Sequence, residues 1–208
     1  MNINHDRVYC SAAIELIPEI RQEQIAICEQ FQLIPRPELH LTFGFIGGMS
    51  EDKIAKLGQL LTQRCHFDIR VLNILGVGGA FKRQNSEAIF TWDLLRSQEL
   101  SEVTRVCWWT VEKTDPLNNI RTALFNALEE LGLNSPNMGT DFFPHLTLGS
   151  NGPATDLAND YSLWDVHTVA KVPNISKVVA TNIQKIPVAK IHITSVSVHP
   201  ASLYLLYA

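Results

Sequence analysis

The chain has 208 residues, 46% hydrophobic and 18% charged, with a formal net charge of -4. Such a balance suits a globular protein with a sizeable core, in one domain or two small intertwined lobes, and excludes a disordered chain. The negative charge argues against a protein that grips long nucleic acid by neutralising phosphates, although a few local groups suffice for a small nucleotide or one RNA end.

VYCSAAI (8–14) is a short run of apolar and small residues that reads as a buried strand. Pro18 then opens PEIRQEQIAICEQF, where Ile20, Gln24, Ile27 and Phe31 recur near helical spacing. After Pro35 and Pro37, LHLTFGFI (39–46) alternates as a strand that Gly47-Gly48 should end. SEDKIAKLGQLLTQRC (50–65) is a helix, with Ser50 as N-cap and Ile54, Leu57, Leu60 and Leu61 on one face. Residues 67–78 and 87–94 both alternate, and the turn-rich KRQNS between them suggests a hairpin.

Residues 95–116 read as a long, mostly polar connection that contains Trp108-Trp109. LNNIRTALFNALEELG (117–132) is the clearest helix, striped by Ile120, Leu124, Leu128 and Leu131 and stopped at Gly132. A loop leads to FFPHLTLG, residues 150–165 are loop-rich, and 175–186 reads as helix. VAKIHITSVSVHP (188–200) alternates strictly, and SLYLLYA ends the sequence as a further strand. The four cysteines are scattered without metal-ligand spacing, as incidental thiols of a reducing compartment would be. Asn174-Ile-Ser176 fits a glycosylation pattern, but no secretory leader is evident and no apolar run reaches membrane-spanning length. A cytoplasmic protein with no membrane association and no obligate protein partner is therefore expected.

Two segments stand apart: HLTFG at 40–44 and HLTLG at 145–149. Each ends a strand–helix–strand series, the second one counted from the strand at 87–94. This suggests a duplicated unit with two lobes and no internal domain boundary over 1–208. In a strand, residues i and i+2 share a face, so His40 projects with Thr42 and His145 with Thr147, while Leu41 and Leu146 pack behind. The glycine after each motif lets another element approach the backbone or lets the strand bend.

Two imidazoles and two hydroxyls converging on one cleft suit acid–base chemistry at a phosphodiester. A neutral imidazole activates water, a charged one protonates the leaving oxygen, and hydroxyls donate to non-bridging oxygens. No nucleophilic Ser or Cys and no metal or other cofactor is called for. The seven histidines and thirteen threonines would give His-x-Thr by chance about 0.4 times, yet it occurs three times. The third copy, His192-Ile-Thr194, lacks the trailing glycine and the repeated setting, and reads as structural.

PRPELHLTF and FFPHLTL resemble the paired HxTx motifs of the 2H phosphoesterase superfamily, and most closely its RNA 2',3'-cyclic phosphodiesterase or "2'-5' RNA ligase" branch. The likeness extends over nearly the whole chain. It implies a bilobal α+β fold in which two antiparallel sheets face each other across a central cleft, with helices outside. It also implies hydrolysis of 2',3'-cyclic phosphates of RNA ends or small cyclic nucleotides to 2'-phosphomonoesters. In that scheme His40 is the proton donor to the 3'-oxygen, His145 is the proton acceptor that activates water, and Thr42 and Thr147 hold the phosphate.

The chain departs from that branch at Ser150, where many members carry a basic residue that can help bind phosphate. Arg36, in the approach to the first motif, could supply the charge instead. Phe43 and Phe142 flank the motifs and, with Ser150, are further possible substrate contacts; the two rings could stack a base, although the burial preference of Phe favours core packing for Phe43. GVGG at 76–79 is no phosphate loop, because no GK[ST] follows. Other readings are a 2'-5' oligonucleotide phosphodiesterase or ligase, a 3'-5' RNA exonuclease of the same superfamily, and a non-catalytic nucleotide-binding module. The exonuclease would need a longer basic groove than the net charge favours.

Overall fold

The computed structural model describes residues 4–82, 88–91, 104–135, 141–150, 181–196 and 202–207. Along the chain these form β1 (Asn4–Ile14), α1 (Pro18–Gln30), β2 (Ile34–Pro35), β3 (His40–Ser50) and α2 (Glu51–Arg64). There follow β4 (Val71–Lys82), β5 (Ala88–Thr91), β6 (Thr104–Val111), α3 (Asp115–Glu130), β7 (His145–Ser150), β8 (Lys185–Val196) and β9 (Ser202–Tyr207). Among the described residues no helix is long and apolar enough to cross a membrane.

Each helix starts and stops for a local reason. Pro18 opens α1, where its missing N–H is no loss. Ser50 precedes α2 in extended backbone but makes no side-chain cap bond, so Glu51 and Asp52 in the first turn are what complement the helix dipole. Gly132 follows α3 with φ of 64°, in the left-handed region glycine enters freely. α2 buries Ile54, Leu57 and Leu61, and α3 buries Leu117, Ile120, Leu124 and Leu128.

All strand pairings are antiparallel, and eight strands follow one hydrogen-bonded path, β5-β4-β6-β7-β3-β1-β8-β9, with β2 beside β7. The hairpin expected around KRQNS is present as β4–β5, paired from Gly79↔Thr91 to Lys82↔Ala88. The α+β class is as expected. The two separate sheets implied by the resemblance are here one connected path, because Leu41↔Leu146 bonds β3 to β7 at its centre and Val71↔Pro187 to Asn73↔Lys185 bond β4 to β8.

Three sequence expectations need correction. Residues 104–111 are not a polar connection but strand β6, placed between β4 and β7. Val106 to Val111 are all buried, so the run shows no alternation to read. It is β6, not the strand at 87–94, that precedes α3. Residues 181–184 lack helix and 185–186 already belong to β8, while 150–165 beyond Ser150 and 175–180 lie outside the described residues. Finally, β3 runs through Gly47-Gly48 to Ser50.

The helices cross over. α3 packs on β3 at Gly44, where an added Cβ would stand 2.7 Å from Leu124 Cδ2. α1 packs on β7 at Gly149, where a Cβ would stand 2.5 Å from Cys28 Sγ and 2.8 Å from the Ile34 carbonyl oxygen. The trailing glycine of each HLT motif is thus the place where a helix from the other half of the path reaches the motif's backbone. The cysteines are less isolated than their spacing implies. Cys107 of β6 hydrogen-bonds Cys28, which lowers the Cys28 thiol pKa and, with burial, raises that of Cys107.

Gly149→Ala should destabilise the protein by about 1–3 kcal/mol in urea unfolding, because a backbone carbonyl cannot yield cheaply. Gly44→Ala should cost less, since Leu124 can change rotamer. Equal or negligible losses for the two variants would contradict this account.

Candidate active site

His40 begins β3 and His145 begins β7. Antiparallel pairing around Leu41↔Leu146 turns His40 toward Thr147 and Thr42 toward His145. Both leucines are fully buried, which leaves the four polar side chains on the opposite face. His40 is exposed, and Thr42, His145 and Thr147 are half-buried.

The two histidines sit in different surroundings. His145 Nδ1 lies 3.0 Å from the Phe143 carbonyl oxygen. An oxygen of that kind can only accept, so Nδ1 carries the hydrogen and the Nε2 of the neutral ring is left as the acceptor. Phe143 stacks on the imidazole at 5.6 Å, and Trp108 meets it edge-on at 5.9 Å. Burial among these rings holds the His145 pKa below its ordinary value, opposed by the Phe143 bond. The His40 pKa is also lowered, first by desolvation, then by the charges of Arg36 and His145, with Glu38 opposing. Tyr9 packs against His40 with centroids 5.6 Å apart.

Arg36 is held by its backbone. Its N–H donates to the Leu148 carbonyl at 2.8 Å, and its own carbonyl accepts from Arg21 Nη1 and Gln24 Nε2. Gln24 is fully buried on α1. It also donates to the Leu148 carbonyl at 2.7 Å and accepts from Arg21 at 2.8 Å, so its amide is satisfied on both sides. One side chain thereby ties the approach to the first motif to the backbone of the second. Among the described residues no three His, Cys, Asp or Glu side chains gather where they could hold a metal ion.

No family model matches the chain. The RNA 2',3'-cyclic phosphodiesterase of Thermotoga maritima is 26% identical over 145 residues, a match covering 66% of this chain and 66% of that relative. A crystal structure of a phosphoesterase superposes with TM-score 0.51 at 19% identity, over 97% of this chain and 95% of that one. The protein TT0787 of Thermus thermophilus does so with TM-score 0.55 at 18% identity, over 96% and 94%. LigT of E. coli in apo form gives 0.50 at 19%, over 98% and 95%. The fold is that of a phosphoesterase.

On this phosphoesterase fold the structure brings together His40, Thr42, His145 and Thr147, and sets the Arg36 charge close enough to act on His40. It does not open the other three positions. Phe43 is fully buried and packs against Phe142, which is 8% exposed, with centroids 6.3 Å apart. Arg121 covers Phe142 at 5.0 Å and donates to the Phe43 carbonyl. Ser150, 2% exposed, is enclosed between Ile34 of β2 and Val106 of β6. Sequence reasoning missed Tyr9 and Phe143, although Phe143 lies two residues before His145 and so shares its face in extended chain. His192, read as structural, is buried with Nε2 3.3 Å from Ser11 Oγ, beside the first motif's half of the site.

Gln24→Leu keeps the volume but removes one of two hydrogen bonds from each of two backbone carbonyls, together with the bond from Arg21, and should lower unfolding stability by about 1–3 kcal/mol. A leucine variant as stable as the parent in denaturant titration would refute the role given to this amide.

Proposed function

We propose that the protein is a phosphodiesterase that hydrolyses 2',3'-cyclic phosphates of RNA ends or nucleotides to 2'-phosphomonoesters, by two-histidine general acid–base catalysis without a metal. The observation that carries this reading is the single Leu41↔Leu146 pair, around which His40 and His145 take equivalent places on one face. The curated relative's name, RNA 2',3'-cyclic phosphodiesterase, supports the same substrate class.

The steps follow from the two environments. Water gives a proton to the free Nε2 of neutral His145 as its oxygen bonds to phosphorus. The bond from phosphorus to the 3'-oxygen breaks, and protonated His40 supplies the proton that this oxygen needs. Thr42 and Thr147 hydroxyls donate to the non-bridging oxygens, and Arg36 adds positive charge where negative charge accumulates. The products are a 2'-phosphomonoester and a 3'-hydroxyl. His40 ends neutral and His145 charged, and exchange of protons with solvent resets both.

His40→Ala and His145→Ala should each lower kcat/KM on a 2',3'-cyclic mononucleotide by at least ~10²-fold, while the parent should turn over in EDTA. Full activity in either alanine variant defeats the two-histidine scheme, and loss of parent activity in EDTA defeats the metal-free one.

Both histidine pKa values lie below the ordinary 6.5, so the kcat/KM profile of the free enzyme should be bell-shaped with its maximum on the acid side of that value. Its two limbs belong to the coupled pair. Arg36 lowers the His40 pKa, so Arg36→Ala should raise it and move the alkaline limb to higher pH. An alkaline limb that stays put or moves down would exclude His40 as the acid on that limb.

A further inference from the structure

The face that bears His40 continues over β1 and β8. In one row His40 pairs with Ala13, and Ala13 with Lys190; in the next Thr42 pairs with Ser11, and Ser11 with His192. Directly opposed residues of antiparallel strands project to the same side. The row between them, Leu41, Ala12 and Ile191, is fully buried on the other side, as this alternation requires.

The two polar rows differ. Ser11 is fully buried and His192 is 7% exposed. Burial, then the charges of Lys190 and His40, push the His192 pKa down to about 4, so it is neutral in the cell's ordinary range. The other row is open: His40 is exposed, and Ala13 and Lys190 are half-buried. Ala13 puts only a methyl between the histidine and the lysine, whose Cα atoms lie two strand spacings, roughly 10 Å, apart. None of the ion pairs among the described residues engages Lys190.

We propose that Lys190 forms a second anion subsite on the face that bears His40, taking the phosphate attached to the 5' position of the nucleotide whose cyclic phosphate is cleaved. The assignment rests on the cyclic phosphodiesterase reading. His40 protonates the departing 3'-oxygen, so the ribose stands over His40 and its 5' substituent extends from there. The shallow strip over Ala13 gives it a path, and Lys190 lies at the end. A compact ammonium on a flexible stem suits a phosphate in either monoester or diester form. Neutral His192 adds no competing charge beneath it. The site thereby distinguishes a cyclic nucleoside phosphate from one that carries a second phosphate, whether a free 5'-phosphate or the next link of an RNA chain.

The test uses adenosine 2',3'-cyclic phosphate, its 5'-phosphorylated form, and the dinucleotide ApA ending in a 2',3'-cyclic phosphate. The parent should favour the latter two by roughly tenfold in kcat/KM. Lys190→Gln should bring that ratio close to one, and Lys190→Arg should restore it. A preference for one of the two extended substrates tells monoester from diester. In parallel, calorimetry should show adenosine 2',5'-bisphosphate binding more tightly than adenosine 2'-monophosphate, with the same response to both variants and no turnover required. A ratio near one in the parent, or a preference that survives Lys190→Gln, overturns the subsite. If the binding preference holds but no cyclic substrate is hydrolysed, the hydrolytic reading falls and the subsite stands.

Discussion

Everything at the candidate site depends on how closely two helices approach two strands. At Gly149 the backbone of β7 has Cys28 of α1 on one side of the added-Cβ position and the Ile34 carbonyl on another, both inside ordinary contact distance for a methyl. Gly44 plays the same part for α3 on β3. Because each helix packs on the motif strand of the other half, neither half of the path is complete by itself. Interiors packed to this density transmit displacement instead of absorbing it. The position of each His-x-Thr strand is therefore fixed by sequence a hundred residues away.

That fixing is what lets two nearly identical segments behave differently. The motifs supply the same side chains, but the Phe143 carbonyl sets the tautomer of His145, and Phe143 and Trp108 enclose its ring. The His40 side chain is the more exposed of the two, and beside desolvation its pKa answers to neighbouring charges, Arg36 and His145 lowering it and Glu38 opposing. A half-buried base with its acceptor nitrogen free and an exposed acid under positive charge are suited to opposite halves of one proton transfer. The backbone is duplicated while the chemistry is divided, and the division comes from residues outside the motifs.

Alternation along the strands made most of this legible in sequence, and neglect of the same alternation put Phe142 among the possible substrate contacts. His40 and Thr42 were rightly set on one face, with Leu41 behind. The same rule puts Phe43 on the leucine side, and the structure buries it fully. Phe142 lies an odd number of positions from His145 and is buried, whereas Phe143, two positions away, stacks on the ring. β6 was illegible for a physical reason: a run buried at every position from Val106 to Val111 has no period to detect, and the polar stretch before it hid its start. The crossed packing of the helices had a trace, the glycine after each motif, but nothing local tells which element a glycine admits.

The third His-x-Thr shows what local pattern leaves undecided. His192 lacks the trailing glycine, and its ring is buried and paired with Ser11 instead of exposed like that of His40, which fits a structural residue. Its place in the sheet is another matter. Ser11 lies between Thr42 and His192, so the third copy stands in the same row as the first motif, two strands away. Spacing along the chain fixes which side chains share a face of one strand; only register across strands decides which faces join. An imidazole held neutral at that place flanks both Lys190 and the reacting histidine without adding charge to either, and so it stays outside the proton transfer between His40 and His145.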